Sequence, residues 1–285
     1  ALSQHSYDFF FNTNLIVRPW FFIATLRHAS SVSSLQCCEQ NILSNLYKFD
    51  MEVPKIPSVE ELRERFQAHD VRNKNRFTIL PVPPDLRKAS VLIPLFYKGG
   101  QLHILLTIRS KNLKNHAGFV AFPGGFQEKS DKDEITTALR EAQEEIGLKP
   151  NDVEVIAVLP PSIVRPSSAV SPVVGIIPED FKPNINHEEV SLVFTLPLLR
   201  FLSNERVTVQ SEVIDGHAYN LHYFHDSIGE THVITWGFTG SHCVRSALVA
   251  FESKMTFHFY DEDAVNKDNA FDPISYNKFV TSSHL

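Results

Sequence analysis

The chain has 285 residues, with 27 Lys+Arg against 33 Asp+Glu and a formal charge of −6 with histidine neutral. That length holds one large domain or two small ones with a sizeable core, and the mildly acidic balance argues against a general nucleic-acid coat, so an anionic ligand must be met by a local site. Cys37, Cys38 and Cys243 are too few for a disulfide framework or a closed zinc site, which fits a reducing compartment.

The chain opens on Ala1, read as a processed or incomplete terminus. Residues 1–55 are aromatic and Ser-rich and are expected to be an extension, either disordered or a weak organelle-targeting segment. Its richest apolar stretch, residues 9–26, is interrupted by Asn12, Asn14, Arg18 and Pro19. It falls short of the about 18 continuous apolar residues of a membrane span. Residues 56–84 read as a short helix and linker. Ser58-Val59-Glu60-Glu61 is a capping signal, the helix runs to about His69, and Pro81 to Pro84 mark the entrance to the main domain.

The main domain is expected over residues 85–265, with 266–285 as a tail. Apolar runs at 90–97 and 102–108, joined by Gly99-Gly100, predict a hairpin. Further strands are predicted at 153–159, 170–177, 207–213, 218–225 and 231–235, with helices at 133–146 and 241–254. The expected class is α/β (α+β), a mixed β-sheet sandwiched between α-helices.

The helix at 133–146 is the most informative segment. Ile135, Ala138, Leu139, Ala142 and Ile146 form one apolar stripe, with Glu134, Glu141, Glu144 and Glu145 expected on the opposite side. Asp131 or Ser130 is the expected cap, and Gly147 followed by Pro150 stops the helix. Clustered acids repel, and two of them sit in the last turn, where the helix dipole disfavours negative charge. A solvated acidic face is the plain explanation. A divalent cation held by Glu141 and Glu145, with Glu144 beside them and Arg140 holding one carboxylate, is the functional one.

The run Arg140-Glu141-Ala142-Gln143-Glu144-Glu145-Ile146-Gly147-Leu148, preceded by Gly124-Gly125, resembles the core of the Nudix box. The resemblance implies a Nudix fold, cleavage of a diphosphate linked to another moiety, and Mg²⁺ or Mn²⁺ as cofactor. It implies Glu141, Glu144 and Glu145 as metal-site and catalytic carboxylates, with Arg140 among the catalytic residues. The general box carries a glutamate where this chain has Lys132, and Asp131 or Glu134 is the expected replacement.

Upstream, Leu105-Leu106-Thr107-Ile108-Arg109-Ser110, Lys114, Gly118 and Phe122-Pro123-Gly124-Gly125 resemble the signature of the coenzyme A diphosphatase branch of Nudix hydrolases, with Lys114 where the branch has arginine. This resemblance implies hydrolysis of coenzyme A or acyl-coenzyme A to 4′-phosphopantetheine (or its acyl form) and adenosine 3′,5′-bisphosphate. Arg109, Lys114, Thr107, Ser110, Gly118, Gly124 and Gly125 are the implied substrate-binding residues. Arg109 suits bidentate phosphate contact, and Lys114 offers a point charge. The alternatives are a Nudix activity on ADP-ribose, NADH or a dinucleoside polyphosphate, and a non-catalytic nucleotide-binding module. The string from Leu105 to Gly125 weighs against the first and the three box glutamates against the second. Ser283-His284-Leu285 fits a relaxed peroxisomal address, so a peroxisomal import receptor is an expected partner and the peroxisome the expected compartment, with the mitochondrion as alternative.

Overall fold

Strands whose side chains are apolar on both faces belong inside a sheet covered on both sides. The computed structural model of the chain describes residues 54–73, 78–164, 168–214, 217–258 and 264–273, and builds such a sheet. β1 (Arg87–Lys98) and β2 (Gln101–Arg109) pair antiparallel from Leu95↔Ile104 to Lys98↔Gln101, giving the expected hairpin at Gly99-Gly100. Below Leu95 the two strands diverge, and one segment fills the gap. Its first part, β3 (Val120–Ala121), pairs with β2, and its second, β4 (Gly124–Phe126), pairs with β1. Gly124-Gly125 is therefore set against β1, where it parts from β2.

On its other side β1 runs parallel to β7 (Ser168–Ile176), which pairs antiparallel with β5 (Glu154–Val158) and β6 (Ser162–Val164). An eighth strand, β8 (Val190–Pro197), pairs antiparallel with β2. One parallel pairing among antiparallel ones makes the sheet mixed, as expected.

Three helices cover it: α1 (Val59–Gln67), α2 (Glu134–Ile146) and α3 (Gly237–Ala250). Along β1 and β2 the side chains alternate between two apolar layers. Leu92, Phe96 and Leu105 pack with Ala138, Ala142 and Ile146 of α2. Ile93, Leu95, Ile104 and Leu106 pack in the other layer with Leu62 and Phe66 of α1 and Val244 and Leu248 of α3. The two alanines let α2 lie close on the sheet, which brings its last turns against Gly124-Gly125. A second sheet, the antiparallel meander β9 (Val207–Ile214), β10 (His217–Ile228) and β11 (Thr231–Thr235), leads into α3.

The local signals place most boundaries. Ser58 and Glu61 form the capping box of α1. The cap of α2 differs from expectation: Asp133, not Asp131 or Ser130, accepts from the Thr136 amide at 2.8 Å, because Asp131 is held by an arginine described below. α3 begins at Gly237 and ends at Ala250, four residues earlier at each end than the predicted 241–254. β8 was not among the predicted strands. The extension up to residue 53, Cys37, Cys38 and Ser283-His284-Leu285 lie outside the described residues. No helix among the described residues is long and apolar enough to cross a membrane.

Candidate metal and diphosphate site

Helical periodicity puts position 145 seven residues after Ala138 and three after Ala142, on the edge of the buried stripe. Glu145 is accordingly 2% exposed. This corrects the expectation that all four glutamates face away from the core. Glu144, one position earlier, has a side chain 53% exposed, and Glu134 is exposed. The helix thus sorts its acids, turning Glu141 and Glu145 inward and leaving Glu134 and Glu144 outside.

A third acid joins the inward pair. Oxygens of Glu141, Glu145 and Glu189 all lie within 4.8 Å of one another. Glu189 directly precedes β8, and backbone bonds set its place. The amides of Asn184 and Asn186 donate to the carbonyls of Ile146 and Glu145, each at 2.9 Å, and the Ser110 amide donates to the Glu189 carbonyl at 2.8 Å. The loop before β8 thereby satisfies carbonyls that the end of α2 leaves free, and Gly147, at φ 72°, turns the chain out of the helix.

Burial raises the Glu145 carboxyl to about 8, more than the Gly124 amide at 3.2 Å and the Arg109 guanidinium at 3.8 Å offset. Glu141 is raised for the same first reason, against the pull of Arg140 at 3.0 Å. Glu141 and Glu145, this close in a poorly solvated pocket and with Glu189 beside them, resist ionising together. A divalent cation removes that conflict, and an all-oxygen donor set suits a hard ion. The residues therefore fit a divalent metal, with Glu141, Glu145 and Glu189 as the available ligands.

Arg140 organises the approach to this cluster. Its Nε and Nη2 donate to the two oxygens of Asp131, each at 3.0 Å, and Nη2 also donates to the Phe126 carbonyl at 3.0 Å. Nη1 lies 3.0 Å from Glu141 and 3.1 Å from Glu144. The Glu128 amide and the Thr137 hydroxyl also donate to Asp131, whose carboxyl these contacts, Arg140 first, hold down at about 2. Of the two acids beside Lys132, Asp131 pairs with Arg140 and Glu134 is exposed. Gly125 completes the wall: a Cβ there would overlap the Glu141 carboxylate, with Oε2 at 2.6 Å.

Comparison with known proteins bears on this arrangement. The family description "NUDIX domain" matches residues 86–224. The mouse (Mus musculus) peroxisomal coenzyme A diphosphatase NUDT7 is 40% identical over 173 residues, covering 60% of this chain and 73% of that protein. The chain belongs to the Nudix family. As a Nudix hydrolase it acts on pyrophosphate bonds. Two Arabidopsis thaliana relatives are also similar. Nudix hydrolase 15, mitochondrial, is 40% identical over 174 residues, 60% of this chain and 61% of that protein. Nudix hydrolase 22, chloroplastic, is 36% identical over 216 residues, 72% of this chain and 71% of that protein.

Within the Nudix fold, the upstream string divides by role. Arg109, at the end of β2, reaches the acidic cluster, and its Nε is buried without a hydrogen-bond partner. Thr107 is buried and donates to the Ala121 carbonyl at 3.0 Å, and Ser110 is buried and accepts from the Asn112 amide at 3.4 Å. Both hydroxyls hold the strand and loop that present Arg109. Gly118 donates its amide to the Arg109 carbonyl at 3.0 Å, and Lys114 is exposed on the loop between β2 and β3. Arg109, Gly124, Gly125, Glu141 and Glu145 come together, whereas Glu144 stays with Arg140 outside the cluster. The residue missed from sequence is Glu189. Its signal was the apolar, β-branched run Val190-Ser191-Leu192-Val193-Phe194, which reads as a strand and carries the preceding Glu188-Glu189 to the sheet.

Proposed function

We propose that this protein hydrolyses the diphosphate bond of coenzyme A and its acyl derivatives, giving 4′-phosphopantetheine or its acyl form and adenosine 3′,5′-bisphosphate, with Mg²⁺ or Mn²⁺ as the divalent ion. The observation that carries the reading is Arg109. It stands at its position in the coenzyme A signature string, 3.8 Å from Glu145, with a buried Nε that has no acceptor. A diphosphate oxygen supplies that acceptor, and the planar guanidinium can offer Nε and Nη together. The name of the mouse relative supports the same substrate class.

Glu141, Glu145 and Glu189 are the proposed metal ligands. When bound, the ion polarises the diphosphate and lowers the pKa of an attacking water. Arg140 fixes Glu141 and is itself fixed by Asp131. Glu144 is the proposed outer acid of the catalytic set, adjusting the charge around Arg140. Gly124 holds Glu145 through its amide, and Gly125 leaves space for Glu141. Lys114 adds positive charge at the rim, while Thr107, Ser110 and Gly118 shape the loop that carries it. Peroxisomal residence goes with this reading and with the mouse relative's name; the mitochondrial name of an Arabidopsis relative supports the alternative.

The test is a product assay. The protein is incubated with coenzyme A, acyl-coenzyme A, ADP-ribose or NADH under Mg²⁺ or Mn²⁺, and the products are identified by mass. Phosphopantetheine and the bisphosphate are expected. Faster cleavage of ADP-ribose or NADH would assign a different diphosphate. Binding of these compounds without turnover under either ion would leave a nucleotide-binding module.

A further inference from the structure

An exposed aromatic ring beside an anion site invites a ligand, because leaving it in water forfeits the burial that apolar surface otherwise gains. Phe119 is 42% exposed. The pairing of Thr107 with Ala121 and Ile108 with Val120 continues to Arg109 opposite Phe119, whose carbonyl accepts from the Arg109 amide at 3.0 Å. Directly opposed residues project to the same face of a sheet, with Cβ atoms about 5 Å apart. Phe119 therefore lies beside the base of Arg109, the side chain proposed to meet the diphosphate.

Phe119 also begins a continuous row of rings. It meets Trp236 edge-on at 5.5 Å, and Trp236 stacks on Tyr223 at 5.3 Å and 21°. The exposed His116 also approaches Phe119, at 5.7 Å, held at φ 53° in the tight turn that closes the loop. Lys111 and Lys114 are exposed on that same loop. The row thus joins flat π surface to positive charge, next to the site that takes the diphosphate.

We propose that Phe119, braced edge-on by Trp236 with Tyr223 stacked behind it, forms a shelf on which the adenine ring of the substrate stacks, with Lys114 and His116 facing the ribose 3′-phosphate. The proposal rests on the coenzyme A reading above and orients that substrate. Its nucleotide half lies toward β3 and β11, and its phosphopantetheine half lies away from them. A flexible amide chain gains little from flat rings, whereas every base has a face to stack and the 3′-phosphate matches the charge of the loop.

The test uses the full chain carrying Trp20→Phe, which leaves Trp236 as its only tryptophan. Adenosine 3′,5′-bisphosphate, without metal, is expected to quench the fluorescence saturably, and 4′-phosphopantetheine is not. Phe119→Ala is expected to weaken bisphosphate binding by roughly 5- to 100-fold, and Phe119→Tyr to restore it, with unchanged circular dichroism. Quenching by phosphopantetheine alone, or an affinity indifferent to Phe119→Ala, overturns the shelf. Coenzyme A cleavage by the Trp20→Phe protein is measured in parallel. Cleavage without quenching refutes the shelf and keeps the substrate. Quenching without cleavage supports the shelf and refutes the substrate reading.

Discussion

Arg109 and Glu145 face each other with 3.8 Å between Nη1 and Oε1, yet the carboxyl still stands at about 8. Burial outweighs the cation, so the pair is not a completed ion pair. The guanidinium keeps donors for another anion. Arg109→Lys keeps the charge but loses the planar fork. Steady-state assays should show a loss in kcat/KM on the order of 10-fold, or about 1.4 kcal/mol, and Arg109→Ala should lose more.

The raised Glu145 has a thermodynamic sign. Its folded pKa of about 8 lies above its ordinary 4.5, so between those values the native state holds the extra proton. Metal-free stability therefore falls as pH rises through that window. Glu145→Gln removes the group responsible and should raise the metal-free melting temperature at pH 8 by several degrees, with a smaller gain at pH 5. Adding Mn²⁺ should stabilise the natural protein and do much less for the variant. Turnover of the variant should drop on the order of 10³-fold. A metal-free variant that melts lower at pH 8 would contradict this account.

Asp131 carries the opposite sign. Arg140, Thr137 and the Glu128 amide hold its carboxyl at about 2, below its ordinary 3.8. The stabilisation is present above pH 4 and is lost as pH falls toward 2. Asp131→Ala leaves Arg140 without its fork partner and should cost about 2–4 kcal/mol by denaturant melts at pH 7. Its kcat should fall as well, because Glu141 loses a fixed neighbour.

Gly125→Ala tests the wall of the site. The added methyl overlaps the Glu141 carboxylate, whose Oε2 would be 2.6 Å away. Glu141 must move, and metal affinity measured by calorimetry should fall about 10- to 100-fold, a loss of the size seen when a ligand is displaced from its support. Circular dichroism should stay unchanged, because the strand itself is retained.

Glu189→Gln separates the acid outside the helix from those on it. If Glu189 shares the ion, the variant should need a higher Mg²⁺ concentration for half-maximal rate, while its melting temperature without metal should hold or rise. Glu144→Gln, outside the cluster on Arg140, should change that concentration little.

Much of this site was legible as local pattern. The capping box of α1, the hairpin at Gly99-Gly100 and the end of α2 at Gly147 are set by neighbours in sequence, and they were read at or near their places. Glu141 was read as a metal ligand from its place in the box, but on the outer side of the helix, whereas the structure turns it toward Gly125. Glu145 was misplaced because four acids suggested one polar side, although a seven-residue step from Ala138 already puts it at the core edge. Asp131 was named from the sequence only as one of two candidates, and Glu189 depended on a contact between distant parts of the chain. Asp131 folds back to an arginine in the middle of α2, and Glu189 arrives on a strand that pairs with β2. No spacing rule within either segment announces those meetings.

The amides of Asn184 and Asn186 dock onto the closing carbonyls of α2, so an acid far along the chain is positioned by peptide groups that every residue but proline possesses. Asn186 adds its side chain to this hold, its Nδ2 donating to Glu189 at 3.3 Å and its Oδ1 accepting from the Glu188 amide at 3.2 Å, and proline at either docking position is the change the loop cannot absorb. A protein built this way can refit the rim of its pocket to new substrates without dismantling the chemistry beneath.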